Sequence, residues 1–480
     1  MIGNRVKAIW AKESHILSDP ANSLVEVRSV ASDLVGNIYT TGQIRGEAKI
    51  GQFVLNGPPP YLFFSKQNRE GKFIYVKTGI LDGNASGDSL TLDNKGYLYL
   101  SGSFTGQLQF EGAKKLSSQF STLFVVKIDS ATGKAIWAQQ AISDATSLLE
   151  STSMTNDDHN IYLTGRFFGK LKFGTQILES KDGSSAYATA LNKKKGSFVW
   201  ASQVNPVGLS TSFGNSIALN NESDNENDIL YICGQFDKQV SFGSIDLSTI
   251  GILDSFVATL NRKTGDWLNA VKTTSLTTAS ISLAKGIAVD NKNVVYIIGM
   301  FGGQVTFGNE VISTPPNVRR ETFVAKLDRK LNWKKTVVVE SINTKENVET
   351  NNAGGIAVFN CDCSNETYIY ITGYFIGHAI FGNLDPLISI PNRASYLARL
   401  TQKLDFDTAF QTTNLDPKAE SLVGSFQVIT VVSYNTVSIV GNFTGAIRIG
   451  QLLINSLAPF QPGFIFGRNM NVSKLIISDC

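Results

Sequence analysis

A glycine set in a short β-branched and aromatic run returns at near-regular distances along this chain. That return limits the fold more than any other feature. Ile38-Tyr-Thr-Thr-Gly42 is followed by Leu98-Tyr-Leu-Ser-Gly102, Ile161-Tyr-Leu-Thr-Gly165 and Leu230-Tyr-Ile-Cys-Gly234. Then come Val295-Tyr-Ile-Ile-Gly299, Ile369-Tyr-Ile-Thr-Gly373 and Val437-Ser-Ile-Val-Gly441. Successive anchor glycines are 60, 63, 69, 65, 74 and 68 residues apart. A period of this size is the mark of a repeat architecture, in which one supersecondary unit packs on copies of itself. Length alone, 480 residues, would equally allow three ordinary domains, and the repeat decides against them.

Other positions keep step with the anchor. Two residues on stands Ile44, Phe104, Phe167, Phe236, Phe301, Phe375 or Phe443, and eight on stands Ile50, Phe110, Phe173, Phe242, Phe307, Phe381 or Ile449. Four on is glycine except for Lys238, and nine on is glycine except for Glu111. The residues around the anchor alternate with period two, so the marker reads as a strand ending in a glycine turn. An alternating run precedes it, such as Gly286–Asp290, and a third follows, such as Phe323-Val-Ala-Lys-Leu. A tight turn then leads to a fourth run that carries a tryptophan or phenylalanine. Four short antiparallel strands, repeated seven times, predict an all-β fold. The expected form is a single seven-bladed β-propeller spanning residues 1–480.

Trp10, Trp137, Trp200, Trp267 and Trp333 all fall on the fourth run, with Phe73 and Phe406 in the remaining copies. Their recurrence assigns them to packing between blades rather than to a sugar platform. Trp10 lies 32 residues before Gly42, so the N-terminal run is a fourth strand without its first three. It is expected to complete the last blade, with Phe464–Phe466 as that blade's third strand and Leu475–Ser478 as a competitor for the closing place.

Composition narrows the function. Hydrophobic content of 42% supports a large core, and 43 basic against 40 acidic residues gives a net charge of +3. So nearly neutral a chain argues against nucleic acid as partner. No apolar run approaches a membrane span of about 18 residues, and the N-terminus has no apolar core or cleavage site of a signal peptide. The expectation is an intracellular or virion-associated protein if the chain is complete, and an extracellular or surface one if it is a mature form. Cys233, Cys361, Cys363 and Cys480 are too sparse for a disulfide framework.

Segments such as Gly286–Asp290, Val295–Gly299 and Glu321–Asp328 with Trp333 resemble the seven-bladed propeller repeat called the SBBP repeat. The resemblance covers essentially the whole chain. It implies a propeller of the kind found in bacterial surface or secreted proteins, serving adhesion or ligand binding.

Catalytic signatures do not appear in the sequence. His15, His159 and His378 fall out of register with one another, and Cys361-Asp-Cys363 is half of a metal site with no second half. No cofactor is expected. Asp157-Asp158 and the tract Asn220–Asp228 could gather oxygen ligands for calcium, but neither has the spacing of a calcium loop. Lys193–Lys195 and Arg319-Arg320 read as solvated loop charges. Extra residues at 221–228, 310–320, 341–353 and 383–393 are where a partner site is expected. The reading is a non-enzymatic propeller that presents a rigid, loop-bearing face to a protein or glycan. Two alternatives stay open: a lyase or hydrolase with its site at the channel mouth, and a structural component of a surface or virion assembly.

Overall fold

The computed structural model describes residues 5–16, 24–56, 60–145, 147–219, 228–316, 318–342, 351–361, 365–414, 425–433, 436–443, 446–449, 452–455 and 469–478. They form strands and turns, with no helix among them. The chain divides into two compact units, one made of Met1–Gly87 with Val339–Cys480, the other of Asp88–Val338.

In the second unit one small antiparallel sheet is built again and again. Leu148–Asn156, Asn160–Phe173, Gln176–Asn192 and Phe198–Gln203 lie side by side in chain order. Ser212–Leu219, Ile229–Phe236, Asp254–Asn261 and Trp267–Lys272 do the same. So do Ile281–Val289, Val295–Gly302, Glu321–Leu327 and Trp333–Ile342, the last four residues of which are counted with the first unit. Faces of consecutive sheets pack on each other. Tyr162, Ala188 and Trp200 of one share a core with Ile217, Leu230 and Phe256 of the next. Tyr231, Cys233 and Val257 share another with Ile297, Phe301 and Phe323. Each sheet thus buries both faces, which is why its strands are nearly continuous apolar runs rather than simple alternations.

The first unit repeats the plan in Leu24–Ser32, Ile38–Arg45, Tyr61–Gln67 and Phe73–Thr78. Asn351–Cys361, Glu366–Phe381, Leu387–Thr401 and Phe406–Gln411 form a further copy. The last copy joins the two ends of the chain. Ser425–Ser433 pairs with Thr436–Phe443, which pairs with Asn469–Ser478, which pairs with Arg5–Ile16. The sequence pointed to Phe464–Phe466 as the third strand here. That segment lies outside the described residues, and Asn469–Ser478 holds the place.

Between its second and third strands each copy extends a small hairpin, and the preceding fourth strand runs on to pair with it. Asn205–Pro206 pairs with Val240–Ser241, and Thr274–Ser275 with Val305–Thr306. In the first unit Val339–Ile342 pairs with His378–Phe381, Thr413–Asn414 with Ile447–Arg448, and Ser14–Ile16 with Ala48–Ile50. Neighbouring copies are therefore stitched by backbone hydrogen bonds as well as by apolar contact.

The anchor glycine has a different cause from the turn expected of it. Gly234 lies in mid-strand, opposite Gly214 on one side and Phe256 on the other. The first strand bulges directly after the residue that faces the anchor: at Arg28, Thr152, Asn215, Lys285 and Gly354-Gly355. The bulge turns the carbonyl before it into the second strand. A Cβ on Gly42, Gly165, Gly234, Gly299 or Gly373 would sit 1.8–2.2 Å from the carbonyl oxygen of Glu26, Glu150, Phe213, Leu283 or Asn352. The ring of Tyr187, Phe256, Phe323 or Tyr396 closes the other side at four of these positions. Only glycine fits. The glycines four residues on take positive φ, 79°, 78°, 85°, 77° and 90° for Gly46, Gly106, Gly169, Gly303 and Gly377; Gly46 and Gly303 are at bends, and Gly106, Gly169 and Gly377 are at bulges within long second strands. Lys238 adopts the same left-handed conformation, at 52°.

The tryptophans occupy two registers rather than one. Trp267 pairs with Leu260, the slot that Phe73, Phe198 and Phe406 fill elsewhere. Trp267 and Trp333 meet Phe242 and Phe307 edge to face, at 5.0 and 5.1 Å. Trp137 and Trp200 stand two residues further on, opposite Lys127 and Ala190. Their indole N–H groups donate to the carbonyls of Lys193 and Arg262 in the following sheet. Trp10 lies opposite Lys474.

At the turn end, Asp33, Asp93, Asp157 and Asp290 each close the first turn of a sheet and accept a hydrogen bond from Tyr39, Tyr99, Tyr162 or Tyr296. A cation from the next sheet's last turn joins two of these pairs. Lys193 lies 3.2 Å from Asp93 and Arg262 lies 3.7 Å from Asp157. Lys193, expected to be solvated, is buried, while Lys194 and Lys195 are exposed. Burial alone would raise the Asp93 carboxyl. Hydrogen bonds from the Tyr97 N–H and the Tyr99 hydroxyl, with the Lys193 ammonium, outweigh it and hold the group below its ordinary value.

Two outcomes follow for stability. Gly234→Ala should lower the thermal unfolding temperature by an amount equivalent to about 3 kcal/mol or more, because neither the carbonyl nor the ring can retreat. Gly208→Ala, at φ 62° with nothing within 4 Å of its Cβ, should cost only about 1 kcal/mol of backbone strain. Equal losses in the two melts would refute the steric account. Lys193→Met should cost roughly 2–4 kcal/mol by stranding a buried carboxylate. Since Asp93 is depressed in the folded state, its contribution is complete above the unfolded value of about 4 and disappears as pH falls through the folded value. The stability gap between parent and variant, read from urea melts followed by tryptophan fluorescence, should therefore be full near neutral pH and narrow as pH falls through the folded value of Asp93.

Candidate functional site

The first strand of each sheet is an edge strand, and a bulge there re-aims one side chain. In the described bulges those side chains include Arg28, Thr152, Asn215 and Lys285. The bulge thus sets a polar residue at the edge of an otherwise apolar sheet.

In the second unit two of them tie neighbouring sheets together. The Thr152 hydroxyl donates to the Gly214 carbonyl at 2.6 Å, and Asn215 Nδ2 donates to the Ala284 carbonyl at 2.6 Å and to Gln235 Oε1 at 2.7 Å. Nearby, Arg166 forms a two-pronged ion pair with Glu150 at 2.6 and 2.7 Å and lies 4.5 Å from the centre of the Phe213 ring. In the first unit Arg28 bonds Glu26 and Gln43.

Lys285 breaks this pattern. Its side chain is exposed to solvent. Desolvation by nearby protein pulls its ammonium below the ordinary value, and the positive charge of Arg320 acts in the same direction. Arg320 is half-buried and Arg319 exposed. Among the described residues no carboxylate pairs with Lys285.

A second feature is apolar. Val207, Leu209, Ile250, Ile252 and Leu276 are 45, 69, 65, 55 and 43% exposed. Their loops are laced together. Lys238 donates from Nζ to the Leu209 carbonyl and accepts at its own carbonyl from the Thr249 N–H. The Ile252 N–H reaches the Ser280 carbonyl, and a Cβ on Gly251 would lie 2.2 Å from Ser275 Oγ. Below them the Asp254 carboxylate, fully buried, accepts from the Ser275 N–H and hydroxyl and pairs with Lys272 at 3.0 Å.

The residues singled out for chemistry take other roles. Asp157 is a turn cap whose Oδ1 accepts from the His159 and Asn160 N–H groups. Among the described residues no group of three or more His, Cys, Asp or Glu is placed to hold a metal. His378 lies in the pairing of Val339–Ile342 with its neighbour. Cys233 is buried in a second strand, where burial pushes its thiol up. Cys361 is half-buried, and Cys363, Cys480 and residues 220–227 of the acidic tract lie outside the described residues. The insertion at 310–320 supplies the hairpin strand Glu310–Ser313. Sequence reasoning missed Lys285 and Asn215. Their only signal is a polar residue one place after the residue that faces the anchor.

No family model and no curated protein matches the chain. Among solved structures it is similar to quinohemoprotein alcohol dehydrogenase from Comamonas testosteroni at 10% identity and a TM-score of 0.45, over 99% of this chain and 77% of that one. It is similar to the Pan2 WD40 domain of Neurospora crassa at 10% and 0.45, over 97% and 98%. The polysaccharide lyase Uly1 follows at 9% and 0.43, over 96% and 91%. Likeness at this level transfers neither activity nor ligand.

Asn215→Ala should leave the Ala284 carbonyl without its donor and cost about 1–2 kcal/mol. Hydrogen exchange should then rise in both Ser212–Leu219 and Ile281–Val289. A rise in the first strand alone would show that the side chain does not couple the two sheets.

Proposed function

We propose that the chain is a seven-bladed β-propeller, closed by its N-terminal strand, that works as a non-enzymatic binding module for a protein partner. The seven marker glycines support the blade count. Closure is supported by the double pairing of Arg5–Ile16, with Asn469–Ser478 along its length and with Ala48–Ile50 at its end. That is the same double pairing the other fourth strands make.

The observation that carries the binding reading is the run of exposed Val207, Leu209, Ile250, Ile252 and Leu276 on loops held by backbone hydrogen bonds. Exposed aliphatic side chains on fixed, neighbouring loops are costly to leave in water and favour a site that another protein covers. Its aliphatic character favours a protein over a glycan, since sugars need flat aromatic faces and hydrogen-bonding groups.

The test is capture from an extract of the native source by the full chain and by the double variant Leu209→Asp, Ile252→Asp. The expected result is a protein retained by the parent and lost, by about tenfold or more, from the variant. Equal retention by both, or retention of glycan alone on a glycan array, would overturn the reading. Unchanged melting of the variant shows that the fold is intact.

A further inference from the structure

We propose that the turn end of the second unit binds an extended acidic peptide, with an aliphatic residue at about every third position, across the seams between successive sheets. Asp254–Asn261 begins beside Ile252 and ends beside Lys263, so this surface lies at the opposite end of the strands from the aliphatic loops. It does not rest on the protein-binding reading of those loops.

The fourth strands here are edge strands, and each bulges near its start. The residues skipped in the pairing are Ile136, Val199 and Leu268, each about half exposed. Folding does not ask for an aliphatic residue at this place, since Asp407 stands at the same bulge in the first unit. Exposed edges ordinarily carry charge, which keeps other strands away. The sheets themselves thus give no reason for three exposed aliphatics in phase.

A lysine of the next sheet stands beside each of them. Trp137, which follows Ile136, donates from its indole to the Lys193 carbonyl at 3.1 Å, just before Lys194. Trp200, which follows Val199, donates to the Arg262 carbonyl at 2.9 Å, just before Lys263. Asn269, which follows Leu268, donates to the carbonyl of Lys330 at 3.1 Å. All three lysines are exposed. Their N–H groups are held by the turn caps Asn192, Asn261 and Asp328 at 3.1, 2.9 and 2.9 Å. Ala131 fills the equivalent place in an earlier turn, so the turn does not require lysine. Lys263 shares Asp228 with Arg262. Lys194 and Lys330 have no carboxylate partner among the described residues. On the described turns of this end, exposed lysines and arginines outnumber the exposed carboxylates Asp158 and Asp266.

Each seam therefore offers one aliphatic side chain and one ammonium on fixed backbone. Packed sheets lie about 10 Å apart. A polyproline-type chain rises about 3.1 Å per residue with about three residues per turn, so every third side chain meets the next seam. Weak contacts at successive seams add once they belong to one ligand. Nucleic acid presents a phosphate about every 3.4 Å along a strand, denser than these cations, and its backbone has nothing for an aliphatic side chain. Aliphatic edges give a sugar ring no flat aromatic face to stack on.

The test is fluorescence polarisation of the full chain with a labelled peptide of repeated Leu-Asp-Pro triplets, long enough to span the seams. Labelled peptides with Ser for every Leu, or Asn for every Asp, are compared. Duplex DNA and vesicles of anionic phospholipid serve as competitors. The first peptide should bind about tenfold or more tightly than either substituted one. The triple variant Ile136→Ser, Val199→Ser, Leu268→Ser and the double variant Lys194→Glu, Lys330→Glu should each weaken it about tenfold or more, with unchanged melting. Lys172→Glu with Lys181→Glu, exposed on a hairpin at the other end of the strands, makes the same change in net charge and should leave binding intact. Leu209→Asp with Ile252→Asp should leave it intact as well. No binding of the first peptide, equal binding of the Ser-substituted one, undiminished binding by the triple variant, equal loss in the hairpin variant, or readier displacement by DNA or vesicles than by unlabelled peptide would each overturn the proposal.

Discussion

The contact on which each sheet depends is a carbonyl oxygen pressed into the space where a side chain would be. At Gly165 it is the oxygen of Glu150, at Gly234 that of Phe213, at Gly299 that of Leu283. The bulge in the edge strand and the glycine in the second strand are one feature seen from two strands. Without the bulge the glycine would be only a weakness in mid-strand. Without the glycine the bulge could not close against its neighbour. The aromatic residue opposite, Tyr187, Phe256 or Phe323, fills the volume that glycine leaves empty and restores apolar contact. Spacing between anchors varies from 60 to 74 residues while this local set holds, because insertions fall in loops that the contact does not touch.

A second constraint acts at the other end of the strands, through charge. The Asp–Tyr pair closes a turn within one sheet, and the cation from the next sheet extends it to a neighbour. Burial and the carboxylate partner hold the phenols of Tyr99 and Tyr296 protonated well above their usual range, so each remains a donor. Lys193 also donates to the Asn156 side chain at 2.8 Å and to the Asp157 carbonyl at 2.7 Å. Its carbonyl in turn receives the Trp137 indole. One residue thus ties two turns to a fourth-strand tryptophan, and a buried ammonium is tolerated because its donors are used.

Much of the local plan was legible because it recurs in step with a residue type that few environments demand. The four-strand order, the marker strand and the aromatic wedge all follow from fixed offsets. The cause of the glycine was not legible, since a close approach between strands leaves no trace in a single strand's alternation. The two tryptophan registers escaped for a related reason. The fourth strand bulges between the two positions, so a shift of two residues carries the side chain to the opposite face of the sheet, and a period-two alternation cannot see it. Lys193 was lost inside a basic run whose members differ only in tertiary surroundings. Lys285 and Asn215 were invisible because the bulge position asks only for a side chain that can leave the sheet, and therefore accepts Arg28, Thr152 and a glycine pair as well.

That permissiveness bears on function. Positions filled by the repeat's own packing are fixed in type, as Gly234, Phe256 and Trp267 are, and cannot be varied without cost to the sheet. The bulge residue is held by the same geometry but contributes little to the core. A repeat protein can therefore change what stands there from copy to copy while every sheet still forms. The loops that carry Leu209 and Ile252 have the same freedom, since the extensions Asn205–Pro206 and Thr274–Ser275 secure their bases by backbone bonds that need no particular side chain. Rigid placement with free choice of residue is what a binding site requires of its scaffold. In this chain it arises at the edge-strand bulges and at the hairpin-bearing loops rather than on the packed faces between sheets.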